Sequence, residues 1–264
     1  MNNKFAVITG AASGMGKCYA LQLAEKGYGI VVVDINDAAA HELSNEITSR
    51  YGVAAPVVCL DLTLDDAAEL IVGQCRENGW QVEILINNAG MLTTTSIMDT
   101  TPESMKHMIA LHCTTPLLLC RQLVPFMIEQ EKGYILNVSS ITAWMDWPVI
   151  GMYGCTKRFV KGFSRALHIE CMGTPVSVTT AIFGAVDTPM VDSLSPRLRK
   201  LMLHLGFMLT PEKAARRALK AMFKRKATMI PCMSDRLAVA LSPLLPNCLL
   251  HALAKKYAHK LFEH

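Results

Sequence analysis

The stretch FAVITGAASGMGKCYALQLAEKGYGIVVVD, from Phe5 to Asp34, decides the fold of this chain. It begins with a short apolar run, passes through a glycine-rich turn into a helical segment that stops near Gly27, and ends with a second apolar run. Short apolar runs bounded by turn residues are typical of buried parallel strands. The stretch therefore predicts a strand–turn–helix–strand unit whose second strand ends at an acidic residue.

The glycine-rich turn has the composition of a phosphate-binding site. Glycines let the backbone approach a pyrophosphate closely, and the free N–H groups and positive end of the next helix attract its charge. The residues predicted to hold the phosphates are Gly10, Ser13, Gly14, Met15 and Gly16. The turn thus indicates a dinucleotide-binding protein.

The residue at the tip of the second strand, Asp34, indicates which dinucleotide is bound. Its carboxylate can accept hydrogen bonds from both hydroxyls of the adenosine ribose, and it would repel a 2′-phosphate. Neither Ala11 nor Ala12 supplies a compensating positive charge, and Ile35 is assigned to the same part of the site. We predict that NAD(H) is the preferred cofactor and that NADP(H) is less favoured.

Apolar runs and helical segments alternate along the rest of the chain, without a repeat or a linker. Strands are predicted near residues 4–9, 29–33, 55–60, 83–87, 133–138, 175–182 and 227–231. This order predicts the α/β class, with one Rossmann-type doubly wound parallel sheet of about seven strands and helices on both faces. We expect a single domain over residues 1–264, with a dinucleotide-binding and catalytic core (1–190), a substrate lid (190–211) and a basic, apolar C-terminal arm (232–264).

Ser140, Tyr153 and Lys157 form the pattern S-x12-Y-x3-K. A tyrosine and a lysine four residues apart share one face of a helix. An ammonium group beside a phenol stabilises the phenolate, and so lowers toward neutrality a pKa that is ordinarily near ~10. A serine hydroxyl at a strand end can hold a carbonyl oxygen in front of that tyrosine. The set predicts proton transfer for a carbonyl/alcohol couple.

Three motifs occur in order over roughly residues 4–230: the glycine spacing G-x3-G-x-G, Asn87-Asn88-Ala89-Gly90, and the Ser140/Tyr153/Lys157 set. With them the chain resembles the short-chain dehydrogenase/reductase family, and within it the hydroxysteroid dehydrogenase and long-chain ketoreductase branches more than the sugar-modifying ones. The resemblance implies hydride transfer between a nicotinamide ring and a carbonyl carbon, on CH–OH donors with NAD(P)+ as acceptor.

The resemblance also implies roles for individual residues. Asp61 and Leu62 would lie near the adenine, and Asn88, Ala89 and Gly90 beside the cofactor. Lys157 would lower the pKa of Tyr153 and also bind the nicotinamide ribose. A homodimer or homotetramer is expected on the same ground.

Two positions depart from the family pattern. His112 stands where the family has an asparagine that anchors a water in the proton relay. A histidine can hold a water and shuttle protons, which would add an inflection to the pH profile; alternatively it is a packing residue. Phe183-Gly184 replaces the usual Pro-Gly after the sixth strand, and the following loop still fits over the nicotinamide through Val186 and Thr188.

Large apolar side chains surround the catalytic set and fill the lid. The residues assigned to the substrate pocket are Trp144, Trp147, Met152, Met190 and Met202. Such groups suit a lipophilic substrate, a hydroxysteroid or bile acid or a long-chain 3-keto lipid. Alternatives are a 3-ketoacyl thioester or 3-ketosphinganine reductase that uses NADPH, and a membrane-peripheral or redox-binding protein with weak catalysis.

Charge divides the chain into two unequal parts. Residues 1–194 hold 12 Lys and Arg against 19 Asp and Glu, whereas residues 195–264 hold 14 against 3. Within the second part, Leu237 to Ala254 contains no charged residue, although Pro243 and Pro246 argue against a membrane-spanning helix. The arm therefore predicts either peripheral contact with an anionic membrane or packing over the cleft or a subunit interface, and the second is favoured.

Composition excludes several other classes. Nine cysteines without a C-x2-C pair argue against a disulfide framework or a structural zinc site, and no metal is expected. The basic residues come without aromatic interleaving, so we expect no nucleic-acid partner. The first strand follows Met1 within a few residues, which leaves no room for a signal peptide and predicts a cytoplasmic protein, possibly membrane-associated.

Overall fold

The computed structural model of the chain describes residues 3–145, 150–191, 195–246, 248 and 251–252. Its strands are β1 (Lys4–Thr9), β2 (Gly29–Asp34), β3 (Val57–Cys59), β4 (Gln81–Asn87), β5 (Gly133–Ser140), β6 (Val176–Phe183), β7 (Ala185–Val186), β8 (Met208–Leu209) and β9 (Thr228–Met229). Its α-helices are α1 (Gly14–Ala24), α2 (Asp37–Tyr51), α3 (Ala67–Glu77), α4 (Pro102–Ile109), α5 (Thr115–Glu129), α6 (Gly151–Glu170), α7 (Pro196–His204), α8 (Pro211–Phe223) and α9 (Met233–Leu241).

Seven strands form one parallel sheet in the order β3-β2-β1-β4-β5-β6-β9, and β7 pairs with β8 in a separate two-stranded sheet. The order reverses between β1 and β4, which is the topological switch point where ligands bind in doubly wound folds. The predicted α/β fold is confirmed, and the seven predicted strands coincide with the seven of the main sheet.

The inner strands of the sheet are buried on both faces because helices cover both. Alternate residues of β1 divide between two cores: Ala6 and Ile8 pack with α1, α2 and α8, whereas Phe5 and Val7 pack with α3 and α5. Successive side chains of a strand point to opposite faces, so the continuous apolar runs in the sequence supply both cores at once. The carboxyl ends of the strands are thereby fixed along one edge.

The segment Pro102–Glu129 is the one candidate membrane span among the described residues, by length and composition alone. It consists of α4, a π-helical turn at Ala110–Thr114, and α5. Leu119 and Leu123 of α5 are buried against the core that also holds Ile135 of β5. The segment is therefore accounted for as a helix that packs on the sheet.

The C-terminal arm is described in part. Helix α9 ends at Leu241, a 3-10 turn follows at Ser242–Leu244, and Leu245 is extended. The apolar stretch that begins at Leu237 is therefore not one continuous helix. The lysines that follow the apolar stretch, Lys255, Lys256 and Lys260, lie outside the described residues.

Candidate active site

The glycine turn between β1 and α1 leaves no room for side chains. Gly10 and Gly14 have φ of 62° and 50°, in the left-handed region that favours glycine. A Cβ at Gly16 would lie 1.8 Å from the carbonyl oxygen of Gly10. Ser13 is the N-cap residue of α1, so the first N–H groups of that helix open at the turn. This is a cradle that an anion can approach along the backbone.

A second strand end holds the turn in place. The Asn88 side chain donates to the carbonyls of Thr9 and Gly10, both at 3.1 Å, and Thr9 Oγ1 accepts from the N–H groups of Asn88 and Ala89. A Cβ at Gly10 would lie 2.8 Å from Ala89 Cα. The turn and the carboxyl end of β4 are therefore one unit. The sequence analysis did not single out Thr9, because a threonine at the end of an apolar strand carries no signal of its own.

The Asp34 carboxylate lies at the end of β2, partly exposed. It accepts hydrogen bonds from the backbone N–H groups of Ala12 (2.9 Å) and Asn36 (3.0 Å), which fix its orientation. Ile35 beside it is 66% exposed, and the nearby Lys17 is paired with Glu46 at 2.8 Å. The environment of Asp34 thus supplies two backbone donors and no free cation within the described contacts.

A cavity of ≈ 680 Å³ runs from the glycine turn to the end of β5. The predicted residues that line it are Gly10, Ser13, Gly14, Met15, Asn88, Ala89, Gly90, Ser140, Tyr153, Lys157, Phe183, Gly184, Val186, Thr188 and Met190. The predicted residues Gly16, Asp34, Ile35, Asp61 and Leu62 do not line it. Asp34 ends β2, and Asp61 follows β3, where its side chain accepts from the backbone N–H and the hydroxyl of Thr63, which lowers its pKa.

Three predicted catalytic side chains converge at the inner end of this cavity. Ser140, the last residue of β5, has its hydroxyl hydrogen-bonded to the Tyr153 hydroxyl and accepts from the N–H of Thr142. Lys157 is 4% exposed, and its Nζ donates to the carbonyl of Val138 at 3.2 Å and lies 5.5 Å from the Tyr153 ring centre. One helix and one strand end thus place a hydroxyl pair beside a buried ammonium group.

The pKa values of this set correct one expectation. Burial raises the pKa of Tyr153 to about 12, against a smaller lowering by the hydrogen bond with Ser140. Burial also lowers the pKa of Lys157 to about 8. The pKa of Tyr153 is therefore not near neutrality, because removing the phenol from water disfavours the charged phenolate. At neutral pH Tyr153 is a phenol, which is the proton-donating form.

His112 is 1% exposed and has both ring nitrogens engaged. The backbone N–H of Met91 donates to Nε2 at 2.9 Å, so Nε2 carries no proton and Nδ1 carries one. Nδ1 lies 2.8 Å from Thr156 Oγ1, whose hydroxyl donates to the carbonyl of Tyr153 at 2.8 Å. His112 therefore joins the loop after β4 to the first turn of the catalytic helix.

This setting also corrects the expected titration of His112. Burial, with a smaller contribution from Lys157, holds the pKa of the imidazole well below its ordinary value. A proton on Nε2 would also oppose the donating N–H of Met91. His112 therefore stays neutral over the usual assay range. Thr156, which the sequence analysis did not single out, carries the link to Tyr153, and its position three residues after the tyrosine was the available signal.

Pro116 accounts for the π-helical turn that carries His112. In an α-helix the carbonyl of His112 would accept from the N–H of residue 116, and Pro116 has none. The Thr115 N–H donates instead to the Ala110 carbonyl, one residue farther back than in an α-helix. Proline thus widens the helix at the point where His112 reaches Met91 and Thr156.

The loop after β6 is held from two sides. The buried Asp235 of α9 accepts from the Gly184 N–H at 3.2 Å, and a Cβ at Gly184 would lie 2.3 Å from its carboxylate. Asp187, next to Thr188, accepts from Arg199 Nε of α7 at 2.8 Å. The C-terminal helices therefore position the loop that forms one wall of the cavity.

The structure brings only part of the predicted substrate pocket to the cavity. Met190 lines it, whereas Trp144, Met152 and Met202 do not, and Trp147 lies outside the described residues. Trp144 is turned toward Lys161, whose Nζ lies 4.0 Å from the ring centre. The apolar wall comes instead from Leu92, Ile141, Ile150 and Val191. The part of the chain that the structure describes contains no cluster of three or more metal-ligating side chains.

The residues present fit a dinucleotide. The cradle at the glycine turn, which any Cβ at Gly16 would fill, suits a pyrophosphate, and Asp34 at the neighbouring strand end suits two ribose hydroxyls. From there the cavity leads to Tyr153 and Lys157. The pyrophosphate in the middle of such a cofactor would thus lie at the cradle, with the adenosine on the side of Asp34 and the nicotinamide at the proton-donating set.

Known proteins share this architecture. A family model described as short chain dehydrogenase matches residues 4–199. 17-beta-hydroxysteroid dehydrogenase type 3 from Homo sapiens is 32% identical over 73% of this chain and 62% of that protein, and very-long-chain 3-oxoacyl-CoA reductase from Mus musculus is 30% identical over 75% and 64%. This chain thus spans slightly less than two thirds of the length of both relatives. A solved 7beta-hydroxysteroid dehydrogenase matches with a TM-score of 0.85 and 26% identity, over 95% of this chain and 96% of that one.

Proposed function

This chain belongs to the short-chain dehydrogenase family, and on that premise we propose that it interconverts a secondary alcohol and a ketone on a lipophilic substrate, with NAD(H) as cofactor. One observation carries the proposal: the Ser140 and Tyr153 hydroxyls are hydrogen-bonded beside buried Lys157, at the inner end of a cavity that begins at the phosphate cradle. The relatives support the same reaction class, which their names describe as dehydrogenase and oxoacyl reductase.

In the reducing direction the reaction joins a hydride and a proton to the carbonyl group. NADH, held by the glycine turn and Asp34, would supply the hydride. Ser140 orients the carbonyl oxygen by hydrogen bonding, and the Tyr153 hydroxyl transfers its proton to that oxygen as the C–O double bond becomes single. The alcohol is released, and the tyrosinate that remains is stabilised by the Lys157 ammonium group. In the oxidising direction the same groups act in reverse.

Lys157 and His112 have different parts in this scheme. Lys157 holds a charge beside Tyr153 and lines the same cavity, which supports the proposal that it also binds the ribose next to the nicotinamide. His112 stays neutral and does not shuttle protons; it fixes the backbone of the tyrosine through Thr156 and the loop after β4 through Met91. His112 is therefore a positioning residue. A relay role would need an imidazole that gains and loses a proton.

The preference for NAD(H) rests on Asp34. Its carboxylate is oriented by two backbone N–H groups and retains the charge that a 2′-phosphate would meet. Lys17, in the first turns of α1, is paired with Glu46 of α2 at 2.8 Å. Like charges at hydrogen-bond distance disfavour binding, so NADPH carries a penalty that NADH does not.

The lipophilic substrate class rests on the outer wall of the cavity. Leu92, Ile141, Ile150 and Val191 supply apolar surface around the reacting groups, together with Met190. Pockets of this kind bind extended apolar ligands and orient them by few polar groups. The names of the relatives, a steroid dehydrogenase and a very-long-chain oxoacyl reductase, agree with a steroid or a long-chain 3-keto lipid.

Two alternative functions are weighed, each against one observation. The first is a 3-ketoacyl thioester or 3-ketosphinganine reductase that uses NADPH, and the relative named very-long-chain 3-oxoacyl-CoA reductase favours its thioester form. A redox-binding protein with weak catalysis is disfavoured by the intact arrangement of Ser140, Tyr153 and Lys157. We also propose a cytoplasmic homodimer or homotetramer, since the nine cysteines are free thiols and large apolar side chains on α5 and α6 are exposed, among them Leu117, Ile128 and Phe159.

A substrate screen tests the proposal. Oxidation of NADH and of NADPH is followed with steroid ketones, a bile acid ketone, a long-chain 3-ketoacyl thioester and 3-ketosphinganine, with Tyr153→Phe as the inactive control. Turnover of at least one lipophilic ketone, faster with NADH, is expected. Turnover only with small polar ketones contradicts the substrate class, and faster turnover with NADPH contradicts the cofactor assignment.

A further inference from the structure

Two short C-terminal helices expose large apolar side chains. On α9 and the 3-10 turn after it, Met233, Leu237, Leu241 and Leu244 are 75%, 59%, 48% and 75% exposed. The first three are spaced by four residues and share one helix face. On α7 and the turn after it, the exposed side chains are Leu198, Leu201, Leu205 and Phe207, at 36–56%.

The two helices border one depression of the surface. Leu203 and Leu205 at the end of α7 and Met233 at the start of α9 line the same cavity. The eight exposed apolar residues listed above therefore belong to neighbouring elements, and we call them together the α7/α9 face. Clusters of exposed large apolar side chains on soluble proteins often mark places where another surface binds.

The charges around the α7/α9 face have one dominant sign. Arg197 and Lys200 lie on α7, Lys213 and Arg217 line the depression from α8, and Arg236 lies on α9. The acidic residue of α9, Asp235, is buried against Gly184 and does not offset them at the surface. Over residues 195–264 the chain carries 14 Lys and Arg against 3 Asp and Glu.

We propose that the α7/α9 face docks on an anionic lipid bilayer. Apolar side chains would enter the boundary between headgroups and acyl chains, while the basic residues beside them meet the lipid phosphates. Helix α9, with nine residues, is too short to span the bilayer and fits an orientation in the interface.

Charge distinguishes this occupant from two others. A second copy of the chain docked face to face would bring the cations of α7, α8 and α9 against their own kind. The segment that follows in the sequence carries Lys255, Lys256 and Lys260, and would meet the same repulsion. Only an anionic partner complements both the apolar stripe and its basic border.

The position of the face adds a consequence for the substrate, which rests on the proposed function. Met190 and Val191 line the active-site cavity and lie a few residues before α7 in the chain. Docking would bring the mouth of the cavity toward the bilayer, where a lipophilic ketone is concentrated. Binding to vesicles does not require turnover, so the two proposals are tested by separate measurements.

Vesicle flotation of the full chain tests the docking. Vesicles of phosphatidylcholine alone and of equal parts phosphatidylcholine and phosphatidylglycerol are compared at low salt and at ~1 M salt, where the screening length falls to about 3 Å. The protein is expected to float with the anionic vesicles at low salt and to lose most of this binding at high salt.

Matched variants separate the contributions. Leu237→Glu with Leu241→Glu is expected to lower the floating fraction at least ~tenfold, because two leucines no longer enter the lipid. Arg197→Glu with Lys200→Glu is expected to abolish the preference for anionic vesicles. The control is Leu64→Glu with Leu70→Glu, two leucines that are 49% and 43% exposed and lie before and on α3; it should float as the unaltered protein does.

Three outcomes would overturn the proposal. The first is that the unaltered protein does not float with anionic vesicles. The second is that the Leu237→Glu/Leu241→Glu protein floats equally well. The third is that light scattering finds this variant to be a smaller particle than the unaltered protein, while neither protein binds vesicles. The last outcome would identify the face as a contact between copies. Turnover of the lipophilic ketones of the substrate screen is measured in parallel without vesicles, and failure of the unaltered protein with all of them would count against the proposed function alone.

Discussion

The glycine turn after β1 and the α7/α9 face offer two opposite kinds of binding surface. The turn is formed by backbone, and a single Cβ at Gly16 would lie 1.8 Å from the Gly10 carbonyl oxygen. The face is formed by side chains such as Leu237, which is 59% exposed. Backbone surfaces fix one ligand geometry, whereas exposed apolar side chains adapt to a soft partner. Substitutions at the inner site should therefore have large effects on chemistry, and those on the face small ones.

The largest effect is expected from Tyr153→Phe, which removes the proton donor beside Ser140 and keeps the packing. Turnover should fall by ~10²–10⁴, the usual contribution of general acid–base catalysis. Cofactor affinity, measured by fluorescence titration, should be nearly unchanged because Lys157 and the turn remain. Near-normal turnover would remove the basis for treating the inner site as catalytic.

The next effect concerns the turn itself. Gly16→Ala should abolish measurable cofactor binding, since the added Cβ must push the Gly10 carbonyl out of the cradle. The same substitution at Gly73 of α3, where nothing lies within 4 Å of the new Cβ, should raise the unfolding free energy by ~0.5–1 kcal/mol and leave binding intact. Calorimetric titration and thermal unfolding of both variants measure the difference. Equal binding by the two proteins would show that the turn is less constrained than its contacts indicate.

A smaller, selective change is expected at Asp34. Asp34→Ala with Ile35→Arg removes the charge that repels a 2′-phosphate and adds one that attracts it. The ratio of kcat/KM for NADH to that for NADPH should shift toward NADPH by ~10–100-fold, the size of one or two hydrogen bonds to charged groups. Reduction assays with each cofactor give the ratio. An unaltered protein that already works better with NADPH would refute this reading of the strand end.

Arg199 connects the two surfaces, because it lies on α7 and its Nε donates to Asp187 beside Thr188. Arg199→Ala should raise the KM for the cofactor ~3–10-fold by loosening the loop, as expected for a partly buried ion pair. Arg197→Ala, an exposed arginine on the same helix, is the control and should leave the KM unchanged. Identical kinetics in the two variants would mean that the face and the site are independent.

The smallest expected effect concerns the pH profile. His112 is held neutral, so no inflection near ~6.5 is expected, and His112→Asn should retain the profile's shape with activity lowered by less than ~10-fold. Lys157 loses its charge as pH rises through about 8, and the rate of ketone reduction should fall there in both proteins. An inflection near neutrality that disappears only in His112→Asn would restore a relay role.

The sequence was sufficient for the features that depend on local pattern. The apolar runs predicted the seven strands of the main sheet, and the S-x12-Y-x3-K spacing identified Ser140, Tyr153 and Lys157, which the structure brings together. Both succeed because strand periodicity and helix-face spacing are short-range properties. The glycine-rich composition around Gly10 and Gly14 likewise predicted a turn whose backbone a phosphate can approach.

What the sequence left undetermined depends on distant contacts. The tautomer of His112 is fixed by the Met91 N–H, and the pKa of Tyr153 is raised by burial in the folded chain. Trp144 was assigned to the pocket because it follows Ser140, yet it turns toward Lys161 on α6. Sequence proximity to a site does not specify the direction of a side chain, since tertiary neighbours select its rotamer.

One contact has a consequence for the order in which the protein is made. Gly184 is held by Asp235 and Asp187 by Arg199 of α7, so both anchors of the loop beside the catalytic set are present only when α9 is in place. A ribosome delivers the glycine turn first and the residue that secures the opposite wall near the end. We expect a nascent chain released before Asp235 to have the phosphate cradle already formed, while the loop at the nicotinamide end of the cavity is not yet fixed. Complete binding of the cofactor should therefore require a nearly complete chain.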